Sequence, residues 1–272
     1  MKSLSFRHRV LPLAAAAVLA AAATAAAQTY RFDEDDEPIP TGPEILARAR
    51  QAFPPHPVAI TARLERRTEE AEPVRTLNAR LRMDWGALPP TARFEIEDAF
   101  GSPLAEMDIV YLPGGALIDF RAGDPPEPAP TPPMEARVFD TDFTWGDLAL
   151  GFLWWPGGEM RGFQSRRGRR CFVVDVQAPE PTEAQASVRL WIDAFAYALL
   201  QAETYDAEGE PVRRLSVRSL RRVDGLWTAE DLEVRDLRRR TRTHLNVRSL
   251  EVLAPDDEAD GDRDNGPRED GT

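Results

Sequence analysis

The chain has 272 residues and a formal net charge of −12, from 34 lysines and arginines against 46 aspartates and glutamates. This acidic balance argues against a nucleic-acid partner, which would require a basic surface. The single cysteine, Cys171, excludes an intramolecular disulfide. Beyond residue 27, His56 and His244 are too few for a histidine-rich zinc site, and we expect no metal and no cofactor.

Residues 1–27 have the composition of a secretory signal peptide. Three basic residues precede an alanine-rich apolar run, and a small-residue cleavage site ends at Ala27. The run is shorter than the ~20 residues that a spanning helix needs, which favours a cleaved signal peptide. An N-terminal membrane anchor is the alternative. No cysteine stands directly after the site to carry a lipid, so we expect a periplasmic protein that is not itself membrane-anchored.

Two acidic segments flank the central part of the chain. Residues 28–40 carry a net charge of −4 and residues 254–272 carry −6, whereas the signal segment carries +3, which leaves −5 for residues 41–253. Neither acidic segment has apolar periodicity. We therefore predict a disordered acidic linker and a disordered acidic tail around one folded domain at residues 41–253.

The domain begins with a short amphipathic helix and continues with strands. Pro43 suits the first helical turn, Ile45, Leu46 and Ala49 follow at helical spacing, and a proline pair ends the helix after Phe53. Apolar and polar residues then alternate, which predicts strands with one solvent-facing side, as in an antiparallel sheet. The alternating apolar positions are Val58, Ile60, Ala62, Leu64, Leu77, Ala79, Leu81, Met83, Phe94, Ile96, Ala105, Met107, Ile109 and Tyr111.

Residues 125–133 interrupt this pattern. Six of these nine residues are proline, which excludes a central strand or a helix and predicts a rigid flap. A second helix is predicted at residues 145–154, with Leu148 and Phe152 on its apolar face. Thr144 or Asp142 would cap this helix, and a Pro-Gly-Gly sequence after Trp155 would end it.

A second group of strands follows, for which we predict residues 171–176, 187–193, 197–205, 212–220, 226–237 and 241–252. Glycine-bearing sequences at 207–210 and 224–225 predict hairpin turns between them. Cys171 lies in an apolar strand and is expected to pack there rather than to react. Roughly ten strands and two helices predict a mainly β (α+β) fold with one curved antiparallel sheet.

Several landmarks occur in a fixed order along residues 134–252. They are the helix start Thr-Asp-Phe-Thr-Trp-Gly-Asp-Leu at 141–148, the stop Trp154-Trp155-Pro156, a basic hairpin at 162–170, a strand at 171–176, Leu190-Trp191-Ile192-Asp193, Tyr205-Asp206, Gly225-Leu226-Trp227 and a threonine-rich strand at 240–247. This order resembles the periplasmic outer-membrane lipoprotein-sorting proteins, the LolA-like family. The resemblance implies a half-open antiparallel barrel with a helical lid over an apolar cavity.

Five aromatic residues within thirteen positions surround the second predicted helix. They exceed what one helix face can bury, and the resemblance implies that they line a lid over acyl chains; ordinary core packing is the alternative. The candidate lid residues are Phe143, Trp145, Leu148, Phe152, Trp154 and Trp155. Arg63 and Arg66, on the first strand, are candidates for locking the lid or for contacting a lipid head group.

Two other patterns have functional interpretations. Arginine clusters at 161–170 and 235–242 could bind lipid phosphates or an acidic partner, or could keep a hairpin tip and an edge strand soluble. Asp140, Asp142 and Thr144 match the D-x-D-x-T pattern of aspartate-dependent phosphohydrolases. The alternative is that Asp142 and Thr144 have turn and capping roles, which suits their antiparallel surroundings.

The sequence thus favours a non-enzymatic periplasmic carrier or chaperone in outer-membrane lipoprotein sorting. Its expected partners are lipoprotein acyl chains or lipid, together with envelope transport proteins, and not nucleic acid. An envelope sensor and a structural periplasmic protein of the same fold are alternatives. An aspartate-dependent phosphohydrolase ranks below them.

We expect the exported protein to begin at Gln28 and to carry no lipid, because a cleavage site precedes that residue and the residue directly after the site is not a cysteine. Intact-mass measurement of the exported protein should show the loss of residues 1–27. An uncleaved or acylated mass would contradict the assignment to the periplasm.

Overall fold

The computed structural model describes residues 38–67, 73–223 and 226–253, although the side chains of Pro73 and of residues 221–228 are outside this description. The predicted signal peptide, acidic tail and turn at 224–225, and most of the predicted acidic linker, lie outside the described residues. The chain divides into two units, residues 1–39 and residues 40–272, and the second unit is described here.

The described part of this unit is one antiparallel sheet with a small helical part. The helices are α1 (Gly42–Gln51) and α2 (Trp145–Leu148), and a 3-10 turn follows at Gly151–Trp154. The strands are β1 (Val58–Arg67), β2 (Pro73–Asp84), β3 (Thr91–Asp98), β4 (Pro103–Leu112), β5 (Gly115–Ala122), β6 (Glu127–Pro128), β7 (Glu159–Arg166), β8 (Arg169–Gln177), β9 (Ser187–Asp193), β10 (Leu199–Tyr205), β11 (Pro211–Val223), β12 (Leu226–Asp236) and β13 (Thr241–Val252).

The sheet has the strand order β6-β5-β4-β3-β2-β1-β13-β12-β11-β10-β9-β8-β7. The first and last strands pair at its centre, where Leu64 lies opposite Leu245, and β6 and β7 form the edges. The sheet is therefore curved and open, and the predicted fold class is confirmed. Among the described residues, no helix has the length and apolar character needed to cross a membrane.

Alternation of buried and exposed residues gives the sheet an inner face. In β4, Ala105, Met107, Ile109 and Tyr111 are buried, and the residues between them are more exposed. Inward residues of strands from β1 to β13 join one hydrophobic core, so the sheet curves around this core. α1 and residues 143–153 pack into the same core.

Cys171 is fully buried in a small cluster with Val173, Trp191 and Leu200. Burial raises the pKa of its thiol to about 11. Its predicted packing role is confirmed.

The predicted number of about ten strands is too low, because the described residues form thirteen. The missed strands are β5, β6 and β7 at the two sides of the open sheet. β5 begins with three exposed residues, β7 has little regular alternation, and β6 has only two residues. β6 and β7 are edge strands, and β5 pairs with β6 at only two residues, so these strands pack on fewer neighbours and their sequences lack a clear period of two. The proline-rich segment does avoid the centre of the sheet, since only Glu127–Pro128 of it forms a strand.

The predicted continuous helix at 145–154 is wrong. Leu150 has φ 50° and ψ 34°, a left-handed conformation that separates α2 from the 3-10 turn. A tertiary hydrogen bond competes with a longer helix here, because the Tyr111 hydroxyl donates to the Ala149 carbonyl at 2.9 Å. The cap is Thr144, one of the two predicted candidates.

We predict that Gly42→Ala destabilises the domain, because an added Cβ would lie 2.2 Å from the Gly158 carbonyl oxygen. Overpacking of this kind typically costs about 1–3 kcal/mol. Urea unfolding measures the loss. Gly115→Ala is the matched control, because a Cβ at Gly115 meets no atom within 4 Å. Equal stability of the two variants would contradict the close contact between α1 and Gly158.

Candidate functional site

An apolar cavity of about 230 Å³ lies between the inner face of the sheet and α1. Most of its wall is hydrocarbon, contributed by the C-terminal part of α1, by β1 and β2, and by β10 to β13. The lining residues include Ala49, Phe53, Ile60, Leu81, Met83, Leu215, Val217, Leu232, Leu245 and Val247. A space of this composition binds ligands by burial of apolar surface rather than by directed polar contacts.

The cavity opens toward one end of the sheet. Its lining residues Ala52 and Leu220 are exposed, whereas Phe143, Leu215 and Leu245 are buried. The strand register places the β2–β3, β4–β5, β7–β8 and β9–β10 turns at this same end. We call it the mouth end.

Residues 142–155, which we call the inner segment, form one wall of the cavity. Phe143, Leu148, Leu150 and Leu153 line it. On the other side of the inner segment lie two clefts of about 490 and 520 Å³, and Tyr111, Trp154 and Trp155 line both of them. The inner segment is thus a partition between the apolar cavity and the clefts.

The predicted lid residues occupy different sides of this partition. Phe143 and Leu148 line the cavity, and Phe152 lines the larger cleft. Trp145 is 3% exposed and packs edge-on against Phe120, with the ring centroids 5.4 Å apart. Trp154 and Trp155 are half-buried beside the clefts. The sequence pattern located the partition but did not divide its residues between the two sides.

Two buried carboxylates fix the start of the inner segment. Asp147 closes a capping box at the start of α2: its Oδ2 accepts from the Thr144 amide at 3.0 Å, and its own amide donates to the Thr144 hydroxyl at 3.1 Å. Its Oδ2 also lies 2.9 Å from Arg213 Nε on β11, and both side chains are largely buried. A lone buried carboxylate would be costly, and this arginine compensates it.

Asp142 is fully buried and binds the last strand. Its two oxygens accept from the hydroxyls of Thr241 and Thr243 at 2.6 and 2.9 Å. Arg137 donates to it from Nη1 at 3.2 Å, and Arg137 Nη2 pairs with Asp236. The threonine-rich strand noted in the sequence is β13, and it therefore binds the start of the inner segment.

These contacts bear on the D-x-D-x-T pattern. Asp140 is exposed and has φ 65°, whereas Asp142 is enclosed by threonines and arginine. Thr144 is the helix cap. The geometry matches the turn and capping roles expected from the alternative interpretation.

The two candidate arginines on β1 lie on opposite faces of the sheet. Arg66 is on the inner face, and its Nε lies 3.9 Å from Asp142 Oδ1. Arg63 lies on the outer face, where its Nε is 3.1 Å from Glu65. Among the described contacts, Arg66 reaches the inner segment and Arg63 does not.

The end of the inner segment rests on α1 and on a stack of aromatic rings. Arg50 Nη1 donates to the Leu153 carbonyl at 2.6 Å, and burial lowers the pKa of this guanidinium. The Trp154 ring stacks on Tyr111 at 4.7 Å and on Trp85 at 6.1 Å, and Trp85 stacks on Phe53 at 4.5 Å. Sequence reasoning missed Trp85, because a lone tryptophan between two strands has no periodic partner.

The comparisons with known proteins concern the fold. No curated protein matches the chain. A family model described only as "Uncharacterized protein" matches residues 130–259, less than half of the chain.

Three solved structures are similar over most of their length. A DUF1329 family protein from Desulfovibrio piger has a TM-score of 0.67 at 13% identity, covering 79% of this chain and 92% of that one. A putative outer membrane lipoprotein-sorting protein domain from Vibrio parahaemolyticus has a TM-score of 0.61 at 15% identity, covering 80% and 94%. A LolA superfamily protein from Nitrosomonas europaea has a TM-score of 0.58 at 12% identity, covering 79% and 95%. The chain therefore has a LolA-like fold.

We predict that Asp142→Asn lowers the free energy of unfolding by about 2–3 kcal/mol. Removal of one partner from a fully buried ion pair costs about 3–5 kcal/mol, and the partly exposed Arg66 and Arg137 reduce that cost here. Asp140→Asn is the matched control, with an expected change within about 0.5 kcal/mol because Asp140 is exposed. Chemical denaturation measures both. Equal effects would show that Asp142 does not anchor the inner segment.

Proposed function

We propose that the protein is a periplasmic, non-enzymatic carrier that holds the acyl chains of lipoproteins or lipids in its apolar cavity. The observation that carries the proposal is the apolar cavity separated from two clefts by a single polypeptide segment. In this proposal, residues 1–27 direct export, residues 41–253 form the carrier domain, and residues 28–40 and 254–272 are acidic extensions.

The composition of the cavity suits a hydrocarbon ligand. Transfer of each methylene from water to an apolar site contributes about 0.8 kcal/mol, so an acyl chain needs no polar contact along its length. Asp147 is the one charged residue among those that line the cavity, and Arg213 compensates it. The walls therefore offer burial without demanding a hydrogen-bonding ligand.

The size of the cavity gives the inner segment a role. Sites for drug-sized ligands typically enclose about 300–1,000 Å³, more than the 230 Å³ found here. Displacement of the inner segment would join the cavity to the clefts beside Trp154 and Trp155, and a ligand would then meet residues on both of its sides. Leu150, already in a strained left-handed conformation, lies where the segment would bend.

The proposal is supported by the similar fold of a putative outer membrane lipoprotein-sorting protein domain and of a LolA superfamily protein. An envelope transport protein would be the corresponding partner that loads or unloads the carrier. The second aspartate of the D-x-D-x-T pattern is not free for hydrolase chemistry, because both oxygens of Asp142 accept from threonine hydroxyls.

The second candidate is a structural protein with a permanently filled barrel. The burial of Phe143, Trp145 and Phe152, each at most 3% exposed, favours it. In such a protein the inner segment is part of the core and does not move.

We predict that Ala229→Phe abolishes binding of a fluorescent fatty acid. Ala229 lines the cavity, so the new ring would occupy the space of the ligand. Ala99→Phe, the same substitution in the exposed β3–β4 turn, should bind like the unsubstituted protein. Fatty acid at about 100 times its dissociation constant should stabilise the unsubstituted and control proteins by ~2.7 kcal/mol and should leave Ala229→Phe unchanged.

Native mass spectrometry of gently purified periplasmic protein supplies an independent readout. A co-purifying lipid mass supports the carrier. A bare polypeptide mass, together with fatty-acid binding that is equally poor in all three proteins, would favour the structural protein. Mg²⁺-dependent release of phosphate from an aryl phosphate, abolished by Asp140→Asn, would support the hydrolase instead.

A further inference from the structure

Large apolar side chains are exposed on both sides of the cavity opening. Leu88, in the β2–β3 turn, is 97% exposed, and Phe195, in the β9–β10 turn, is 61% exposed. Gly86 brings the first of these turns against the Pro55 backbone beside the cavity opening, because a Cβ there would lie 2.0 Å from the Pro55 oxygen. The second turn is fixed by Asp193, whose Oδ1 accepts from the Phe195 and Ala196 amides at 3.0 and 2.6 Å.

Four arginines lie at the same end, in and beside the β7–β8 turn: Arg166, Arg167, Arg169 and Arg170. Two of them rest on neutral groups. The Arg166 guanidinium lies 4.4 Å from the centroid of the Trp191 ring, and Arg167 donates to the Val217 carbonyl at 3.0 Å. Each contact holds its arginine side chain in place, and neither contact neutralises the positive charge.

The carboxylates near these turns are already engaged. Asp193 is 2% exposed and pairs with Arg169. Asp84 accepts hydrogen bonds from the Gly86 and Ala87 amides, at 3.1 and 2.9 Å. Among the described residues of these turns and their flanks, four arginines therefore stand against two occupied carboxylates, and this region is basic.

The opposite end has the other sign. Its described turns at 99–102, 123–126, 178–186, 206–210 and 237–240, each taken with two flanking residues on either side as at the mouth end, contain ten acidic residues and six arginines. The whole chain carries −12. Because the mouth end is basic and the opposite end is acidic, a negatively charged surface attracts the mouth end and repels the opposite end.

We propose that the mouth end docks on an anionic phospholipid bilayer. Arginine guanidiniums would bind lipid phosphates, while Leu88 and Phe195 would insert among the upper acyl carbons. The two apolar tips sit on separate turns, a spacing that suits a fluid bilayer better than the compact central anchor typical of a protein interface. This docking goes beyond the carrier proposal, because it needs no ligand in the cavity.

Co-sedimentation of the exported protein with vesicles tests the proposal. Vesicles of equal parts phosphatidylglycerol and phosphatidylcholine should bind the protein, and pure phosphatidylcholine vesicles should bind it far less. Added salt should weaken the binding, because exposed charges are screened. The double variant Arg166→Gln/Arg167→Gln should bind about thirty-fold more weakly, since each basic residue near an anionic surface contributes a factor of about five.

A second variant addresses the apolar contacts, and matched controls lie at the opposite end. Leu88→Ser/Phe195→Ser should also lose binding, and it decides the matter if the arginine variant fails to fold. Phe100→Ser, at a side chain that is 96% exposed in the β3–β4 turn, and Arg239→Gln/Arg240→Gln should bind normally. Ala229→Phe should dock normally too, which separates a failure of docking from a failure of the carrier proposal.

Three results would overturn the proposal: no binding to the phosphatidylglycerol vesicles, equal binding to neutral vesicles, or losses in the opposite-end controls that match those in the mouth-end variants. Beads coated with polyglutamate provide the competing arm. Binding to these beads without binding to vesicles would assign the mouth end to an acidic protein partner instead.

Discussion

Two buried carboxylates determine where the inner segment lies, and the partition of the interior depends on them. Asp142 meets Thr241 and Thr243, and Asp147 meets Arg213, so one end of an otherwise apolar segment is fixed to β13 and β11. Because a carboxylate buried without partners is strongly unfavourable, these contacts specify one position for the segment rather than merely adding stability. Apolar contacts alone would allow the segment to slide along the inner face, since they have no direction.

Different interactions hold the other end of the inner segment. Arg50 donates to the Leu153 carbonyl, and the Trp154 ring lies in an aromatic stack with Tyr111 and Trp85. If the protein is the proposed carrier, the end held by Arg50 and the aromatic stack is the one that would move, because it carries no buried carboxylate. The left-handed Leu150 separates the two halves.

Much of the fold could be predicted from the sequence, because a period of two and glycine-bearing turns specify antiparallel strands locally. The interruption of the second helix could not be predicted. It depends on Tyr111, which lies far away in the chain and donates a hydrogen bond to the Ala149 carbonyl. The aromatic cluster marked the inner segment. Its division between cavity and clefts, and the choice of Arg66 over Arg63 as its neighbour, depend on side-chain direction within the folded sheet. Apolar periodicity likewise cannot separate a filled core from a cavity.

The distribution of charge and the position of the cavity opening distinguish the two ends of the domain. The polar anchors of the inner segment, Asp142 and Asp147, lie away from the mouth, so the walls near the mouth remain hydrocarbon. The basic β7–β8 turn and the exposed Leu88 and Phe195 lie at the mouth itself. A ligand leaving a membrane would then pass from bilayer to cavity without exposing its chains to water, which would cost about 0.8 kcal/mol per methylene. The proposed docking surface and the polar anchors of the inner segment therefore lie at opposite ends of the sheet.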